Sequence, residues 1–355
     1  MNGRRVDASR TRTGVDVVVQ PSLGDHIDEW DRLVDAASVP SPFLRSWWLE
    51  PTMGPGARFV MVFRADELLG GIAFAEDRVL GVPRLRMGHG LLKPDHLDLV
   101  AAPEHRADVV DALRSWLRRD GQRIIDLSGI AQHSLVRDAL PGRVRVAVDG
   151  LAPWARLPDT YDEYLAARPS QLRNSLRRAE RRLDKLGATH RLVAPDQVGE
   201  ALDTLRRLHA LRFREWSGLL PRFDDFAEAA RGGARHGEVA CHELVVDGEA
   251  RACEVWFEVG GIGSFYQSGR DPDPAWNGAG TVLKARAIER LCALGFTHID
   301  LLRDDEPYKR AWAPDARAIV RLEAAIGARA RIVGALLPVA RRSKRAVHAL
   351  RRRRS

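Results

Sequence analysis

A short loop of small residues stands directly before an amphipathic helix in the last third of the chain. It reads Asn277-Gly278-Ala279-Gly280, and the predicted helix runs from Thr281 to about Leu294 and ends at Gly295. A glycine-rich turn at a helix N-terminus leaves backbone N–H groups unpaired, and the positive end of the helix dipole lies there too. This arrangement suits a phosphate or pyrophosphate group. An ordinary strand-to-helix connection has the same pattern, so these residues alone leave both interpretations open.

Other recognisable chemistries have no motif in the chain. A dinucleotide fingerprint needs a third glycine, and a P-loop needs Gly-Lys-Ser/Thr, which occurs nowhere. The eleven histidines include no HExxH motif and no His/Cys cluster at ligand spacing, so we predict no metal site. The three cysteines form neither a CxxC pair nor a disulfide framework, which favours a reducing compartment.

A second charged feature is the helix predicted over Ser170–Leu186. Five apolar residues recur on one face at spacings of three and four: Leu172, Leu176, Ala179, Leu183 and Leu186. The other faces carry six basic residues: Arg173, Arg177, Arg178, Arg181, Arg182 and Lys185. Such a face is ordinarily solvated. It could also form a groove for an anionic substrate or for cofactor phosphates.

The elements that position these residues belong to a long chain with an internal repeat. At 355 residues, 45% hydrophobic and 29% charged, the chain suits two globular domains. Gly121 followed by Ile125-Asp126-Leu127 recurs as Gly295 followed by Ile299-Asp300-Leu301, an offset of 174 residues. Each copy follows an amphipathic helix. Two copies of one α/β unit are therefore predicted.

The copies differ at the glycine loop. The first has Ala101-Ala102-Pro103-Glu104 there, with no glycine and with an acidic residue, so we predict that only the second copy holds an anion. The second half reads helix, helix, three-strand meander, glycine loop, helix, strand, short helix and strand. Asp247-Gly248 predicts a type I′ hairpin within the meander.

This order of elements resembles the GNAT acyltransferase fold, and the motifs resemble its CelD/BcsL-type branch, which is related to FemABX. Three segments carry the resemblance: LRNSLRRAERRLDKLG, SFYQSGRDP before the glycine loop, and IDLLRDDEPYKRAW after it. The PFLRSWW segment of the first half also fits. The resemblance implies a mixed α/β sheet flanked by helices, in two tandem GNAT-like domains. The expected ranges are a disordered 1–14, a degenerate domain 15–145, a CoA-binding acyltransferase domain 146–327 and a basic tail 328–355.

The implied reaction is direct transfer of an acyl group from acetyl-CoA or another acyl-CoA to an amine or hydroxyl. Such transfer uses a base, an acid for the leaving thiolate and a donor for the thioester oxygen. Tyr308 is the implied acid, and Lys309 matches the Tyr-Lys pair of this branch and could hold a phosphate or the oxyanion. Glu254 and Asp300 are the candidate bases. Ordinary roles for these two are a solvent-facing carboxylate for Glu254, and a cap or a pair with Arg303 for Asp300.

The expected binding residues fall into two sets. The cofactor set lies on the strand before the loop and on the loop itself: Tyr266, Gln267, Ser268, Asn277, Gly278, Ala279, Gly280 and Thr281. The substrate set lies on the arginine helix and after the following strand: Arg173, Asn174, Arg177 and Arg303. The acceptor is expected to be a small molecule or a glycan or lipid precursor of the cell envelope.

Two further functions remain open. A FemABX-like aminoacyl-tRNA-dependent transferase would use the basic surface for RNA, but the long helical-hairpin insertion that such enzymes often carry has no counterpart in this sequence. A non-enzymatic module would use the tail and the arginine helix to bind an anionic polymer or membrane. The intact loop and the Tyr308-Lys309 pair favour catalysis over binding alone, and a nucleic-acid partner is not expected.

The basic character of the chain is concentrated at its end. From Arg329 onward there are ten Lys and Arg residues and no Asp or Glu, and subtracting these ten from the net charge of +8 leaves −2. A short apolar cluster at 332–339 precedes most of these charges, a pattern that suits contact with an anionic membrane. No run approaches the ~20 apolar residues of a spanning helix and no signal peptide is evident. The sequence predicts a cytoplasmic protein that contacts the inner face of the membrane.

Overall fold

The structure is a computed structural model, and it describes residues 9–10, 14–88, 90–119, 121–213 and 217–337. Most of the N-terminal segment predicted to be disordered, and the tail from residue 338, lie outside these residues. Within the first of these segments, Ser9–Arg10 pairs with Asp16 and Val17 as a two-residue strand. Among the described residues, no helix combines the length and apolar character that crossing a membrane requires.

Strands and helices alternate through both halves of the chain. The strands are β1 Ser9–Arg10, β2 Asp16–Gln20, β3 Ala57–Arg64, β4 Glu67–Val79, β5 Val82–Arg86, β6 Val100–Ala101, β7 Arg123–Ala131, β8 Arg145–Arg156, β9 Thr189–Leu192, β10 Val239–Val246, β11 Glu249–Val259, β12 Ile262–Arg270, β13 His298–Asp300 and β14 Asp315–Ile326. The helices are α1 Ile27–Asp35, α2 Ser46–Met53, α3 Arg106–Arg119, α4 Val136–Ala139, α5 Tyr161–Ala166, α6 Ser170–Lys185, α7 Val198–Phe213, α8 Phe223–Arg235, α9 Ala279–Ala293, α10 Pro307–Trp312 and α11, described over 328–337.

The described strands form one mixed sheet, which confirms the predicted fold class. Its order is β1-β2-β3-β4-β5-β7-β14-β8-β13-β12-β11-β10-β9, with β6 on β4. Each half contributes an antiparallel meander and one parallel junction, β5 with β7 and β12 with β13. β8, which begins at the predicted boundary between the halves, pairs with β13, and β14 at the end of the second half pairs with β7 of the first. β8 and β14 pair with each other at the centre, so the sheet runs without a break between the halves.

An aromatic cluster joins the halves behind the second meander. Phe43 and Trp48, both buried, contact Tyr266 with ring centroids 5.6 and 5.4 Å apart, and Trp48 lies 5.7 Å from Phe257. Edge-on aromatic pairs of this kind are worth about 0.5–1.5 kcal/mol each beyond the area that they bury. The PFLRSWW segment of the first half is therefore core for the second half.

The local predictions around the glycine loop agree with the structure. α6 buries Leu176, Ala179 and Leu183, the centre of the predicted apolar stripe. The hairpin of β10 and β11 turns at Asp247 and Gly248 with φ of 49° and 79°, the left-handed values of a type I′ turn. α9 begins two residues earlier than predicted, because Gly278 adopts φ of 87° and serves as its N-cap.

Candidate active site

A cavity of about 1160 Å³ opens where β12 separates from β13. The two strands pair only from Ile262 with His298 to Ser264 with Asp300, and β12 then continues to Arg270. The register of β12 against β11 shifts beside Tyr266, as in a β-bulge. Backbone groups of residues 265–270 that do not pair with β11 therefore face the cavity.

The N-terminus of α9 lies at the cavity wall. The amides of Thr281 and Val282 donate to the Gly278 carbonyl at 2.9 and 3.0 Å. The preceding amides, those of Ala279 and Gly280, have no acceptor among the described residues, as the first helical positions require. A Cβ at Gly280 would stand 3.5 Å from Glu254 Oε1 and nothing else would be close, so this side of the turn is open.

α6 approaches the same turn closely. A Cβ on Gly278 would lie 2.7 Å from the Ala179 Cβ and 3.4 Å from an Arg182 guanidinium nitrogen. Only glycine fits this approach at a positive φ. The packing brings the Arg182 guanidinium close to Gly278, the N-cap of α9, and so adds positive charge to the positive end of the helix dipole. The turn therefore has the geometry and charge of an anion site.

Glu254 does not face solvent, so the alternative role of a solvent-facing surface carboxylate is excluded. It is 1% exposed on β11, and its carboxylate oxygens lie 3.3 and 3.4 Å from Lys284 Nζ on α9. Trp256 Nε1 donates to it at 3.2 Å. Burial raises the pKa of Glu254 and lowers the pKa of Lys284 to about 8, while their mutual attraction opposes both shifts. The ammonium also lies 3.1 Å from the centroid of the Phe265 ring.

Lys284 was not singled out from the sequence, although a signal was present. It stands four residues before Ile288 and seven before Leu291, so it shares the buried stripe of α9. A charged residue within an apolar stripe is buried only with a partner. This pattern could have indicated the pair with Glu254.

Tyr308 and Lys309 lie on α10 at the edge of the cavity. Tyr308 is 46% exposed, and its phenol pKa is raised by the surrounding protein and by the carboxylates of Glu306 and Glu254, so it keeps its proton at neutral pH. Lys309 is buried, which lowers its pKa. Its Nζ donates to the carbonyls of Leu302 and Arg303 at 3.4 and 2.7 Å and holds the turn after β13.

Asp300 and Arg303 do not pair with each other. Asp300 is buried outside the cavity, accepts the Leu302 amide at 2.8 Å, and lies 3.0 Å from His96 Nε2 of the first half. The Arg303 guanidinium contacts Asp95 at 2.5 Å and Asp149 at 2.7 Å. The end of β13 lies against the first-half loop that carries Asp95 and His96, so each side chain finds a partner there. Although Arg303 borders the cavity, these contacts occupy its guanidinium.

The other predicted residues divide between the cavity and its surroundings. Six of the cofactor set border the cavity: Tyr266, Gln267, Ser268, Gly278, Gly280 and Thr281. Asn277 and Ala279 do not border it. The Tyr266 hydroxyl donates to the Leu92 carbonyl at 2.8 Å, and its ring belongs to the aromatic cluster.

The residues of α6 that were predicted to bind the substrate lie elsewhere. Arg173, Asn174 and Arg177 do not border the cavity, whereas Gln171, Leu172 and Ser175 of the same helix do. Arg173 donates to the carbonyls of Ala166 and Arg168 at 2.6 and 2.9 Å. The exposed Arg177 donates to the Asn174 side-chain oxygen at 3.5 Å.

The cavity walls come from both halves of the chain. The first half contributes Leu91, Leu92, Lys93 and Asp95, and α7 contributes His209 and Arg212. Lys93 pairs with Asp304 at 3.2 Å across the rim. The described residues contain no group of three or more His, Cys, Asp or Glu side chains that could hold a metal ion.

Known proteins resemble the chain in part of its second half by sequence and over most of its length by fold. Residues 170–310 match the family model of the GNAT acetyltransferase domain. The structure resembles FemX, with TM-score 0.59 and 10% identity over 83% of this chain and 95% of that chain. It also resembles the C-terminal domain of a putative lysylphosphatidylglycerol synthetase from Agrobacterium fabrum, with TM-score 0.58 and 15% identity over 89% and 95%.

A third structure, L-PGS from Bacillus licheniformis, has TM-score 0.54 and 13% identity over 83% of this chain and 90% of that chain. No curated protein matches the sequence. At these identities the structural likeness establishes the fold alone, while the family model locates the matching domain. Residues 170–310, which match the GNAT acetyltransferase domain model, supply most of the cavity and the free N-terminus of α9.

Proposed function

We propose that the chain is a CelD/BcsL-type acyltransferase, which transfers an acyl group directly from a CoA thioester to an amine or hydroxyl. One observation carries the proposal: the free amide of Gly280 at the N-terminus of α9 and the unpaired edge of β12 meet in one cavity with Glu254 and Tyr308. A thioester donor needs an anion site and an extended backbone edge next to the reacting groups.

In this arrangement the helix N-terminus and Arg182 bind the pyrophosphate of the donor. Backbone N–H groups of residues 265–270 hold the pantetheine arm and polarise the thioester oxygen. Tyr308 keeps its proton at neutral pH and donates it to the leaving thiolate. Lys309 fixes the turn that carries this tyrosine.

Calorimetry with acetyl-CoA on the full chain tests the donor. Gly280→Asp should weaken binding by about 1–3 kcal/mol, because a carboxylate would stand beside Glu254 and the pyrophosphate site. Gly280→Ala is the matched control, since its Cβ makes only ordinary contact. Undiminished binding by the aspartate variant would reject the proposed site. Tyr308→Phe should lower thiol release by ~10–10⁴-fold without changing acetyl-CoA affinity.

A second donor class has one observation in its favour, the likeness of the whole fold to FemX. A FemABX-like enzyme would take its acyl group from an aminoacyl-tRNA. A wild-type chain that shows no heat with acetyl-CoA but consumes a charged tRNA would favour this donor. For either donor we place the protein at the inner face of the membrane, with a cell-envelope precursor as acceptor.

A further inference from the structure

His209 lies in the cavity wall and belongs to none of the predicted sets. It stands in the last turns of α7, is 6% exposed and faces β12. Its Nδ1 is 3.1 Å from the Ser268 carbonyl oxygen, and its Nε2 is 2.8 Å from Ser217 Oγ. Ser217 and Ser268 also border the cavity. An imidazole is therefore held at both nitrogens beside the strand edge proposed for the thioester.

These two contacts determine the tautomer. A carbonyl oxygen can only accept a hydrogen bond, so in neutral His209 the proton must be on Nδ1 and point at Ser268. Nε2 then carries the lone pair and accepts the Ser217 hydroxyl. Ser217 Oγ in turn accepts the amides of Leu219 and Leu220, each at 3.1 Å. The basic nitrogen thus points at a hydroxyl hydrogen within the cavity.

The surroundings favour the neutral ring. Burial lowers the pKa of His209 below its ordinary 6.5, the Ser268 carbonyl opposes this shift, and Arg212 on the same helix adds to it. No carboxylate among the described residues acts on the ring. A neutral imidazole at pH 7 can accept a proton. Glu254, by contrast, is already bound by Lys284 and Trp256.

We propose that His209 is the general base of the transfer reaction and that its Nε2 takes the acceptor's proton directly, with the acceptor replacing the Ser217 hydroxyl at that nitrogen. This role rests on the proposed acyltransferase function. The acceptor nitrogen or oxygen bonds to the thioester carbonyl carbon as the carbon–sulfur bond breaks. The acceptor's proton goes to Nε2, and the leaving thiolate takes the Tyr308 proton. Solvent then returns the His209 proton to the tyrosine.

The test uses the full chain with acetyl-CoA and with water as the nucleophile, followed by thiol release. His209→Asn keeps an N–H donor for the Ser268 carbonyl and removes the base, so the rate should fall ~10²–10⁴-fold while the calorimetric affinity for acetyl-CoA stays within twofold. The wild-type rate should fall as the pH drops through the His209 pKa, which lies below 6.5. This fall is the acidic limb of the pH–rate profile, and the variant should not show it.

Two further variants separate chemistry from packing. His236→Gln is the matched control, because its Nδ1 also contacts a carbonyl, that of Gly232 at 2.9 Å, but the residue lies outside the cavity; its rate should not change. Ser217→Ala should lower the rate less than His209→Asn does, and its rate should still fall at acidic pH. A fully active Ser217→Ala variant with an intact limb would still support His209 as the direct base.

Three results would overturn the role. Unchanged thiol release in His209→Asn would exclude His209 as the general base and leave the proposed acyltransferase function in place. A wild-type chain that binds acetyl-CoA but releases no thiol would also do so, because a base in this position should activate water. Loss of the acidic limb in Glu254→Gln, with the limb intact in His209→Asn, would assign the base to Glu254. Failure of the wild-type chain to bind acetyl-CoA would reject the proposed function itself.

Discussion

The two halves share a parallel junction but use the space beside it differently. In the first half the chain after β5 returns to β7, where Leu97 bridges Ile130 and exchanges backbone hydrogen bonds with Gly129 and Ala131 at 2.8 and 3.2 Å. The backbone of the first-half loop around Leu97 thus occupies the space beside β7. In the second half β12 continues past β13 without such an insertion, and the cavity lies in that space.

The difference shows that the strand framework alone does not make a site. The first half has Ala101-Ala102-Pro103-Glu104 instead of the glycine turn, and a short 3₁₀ turn at 103–105 precedes α3. The inserted loop, however, supplies Leu92 and Asp95 to the wall of the other half's cavity. In our proposal the first copy has become a support for the second.

The largest effect is expected from separating the halves. Residues 146–327 alone would expose the edge of β14 that pairs with β7 and the aromatic surface that Phe43 and Trp48 cover. Exposed strand edges and apolar patches lead to aggregation. We expect this fragment to lack near-ultraviolet circular dichroism and to recover it on co-expression with residues 1–145. A monomeric fragment with full acetyl-CoA affinity would contradict the supporting role.

A second test concerns the buried ion pair of the second half. At the offset of 174 residues the first half has Val110, which is buried and apolar, in place of Lys284. Lys284→Met should lower the free energy of unfolding by about 3–5 kcal/mol, because Glu254 would lose its cation. Adding Glu254→Gln should recover most of this loss. Urea denaturation measures both.

The matched control for that test lies in the first half. Arg64 pairs with Asp108 at 2.7 Å, but both side chains are partly exposed. Arg64→Met should therefore cost less than about 1 kcal/mol. Equal losses in the two single variants would show that the pair of the second half is not special.

The buried aspartates of the two junctions should respond differently to pH. Asp126 lies near the guanidinium groups of Arg84 and Arg321, at 3.8 and 3.5 Å, and arginine side chains in proteins stay charged. Asp300 faces His96 instead. Burial lowers the pKa of His96, but Asp300 and Asp95 outweigh it and raise the pKa above 6.5. The pair's stabilisation is thus complete below pH 6.5 and is lost as the pH rises through the His96 pKa.

His96→Asn tests this difference, since asparagine tolerates the φ of 53° at this position. The variant should be less stable than the wild type at pH 6, and the gap should close at pH 9. The same comparison with Asp126→Asn should show a gap that does not change between these pH values. Urea denaturation at both pH values measures the two gaps. A gap for His96→Asn that is independent of pH would contradict the assignment.

The smallest effect is expected at the membrane. α11 packs Ala330 and Val333 against Val82 and Ile124 of the first half, so the last described residues lie on that half. The full chain should float with anionic vesicles and not with neutral ones, with about 1 kcal/mol from each basic residue near the surface. A chain that ends at Leu337 keeps α11 and should not float with the anionic vesicles. Equal flotation of both chains would contradict a role of the tail.

Local patterns were sufficient for much of the fold. The stripe of Leu176, Ala179 and Leu183, the turn at Asp247 and Gly248, and the glycine N-cap of α9 all depend on residues a few positions apart. Short-range sterics and backbone hydrogen bonding determine such features. The repeated Ile-Asp-Leu segment indicated two related units from the sequence alone. In each half it follows an amphipathic helix, at the same place in the order of elements.

Long-range packing decided the rest. The sequence shows Glu254 and Lys284 30 positions apart, and Asp300 and His96 204 positions apart, so neither pairing could be read from local spacing. Two of these four groups were candidate bases, and only the packing of the first-half loop against β13 and of α9 on β11 gave them partners. Sequence alone determined the elements and the glycine turn before α9. Tertiary structure decided which charges are buried together, because desolvation and ion pairing depend on distances that the chain acquires only on folding.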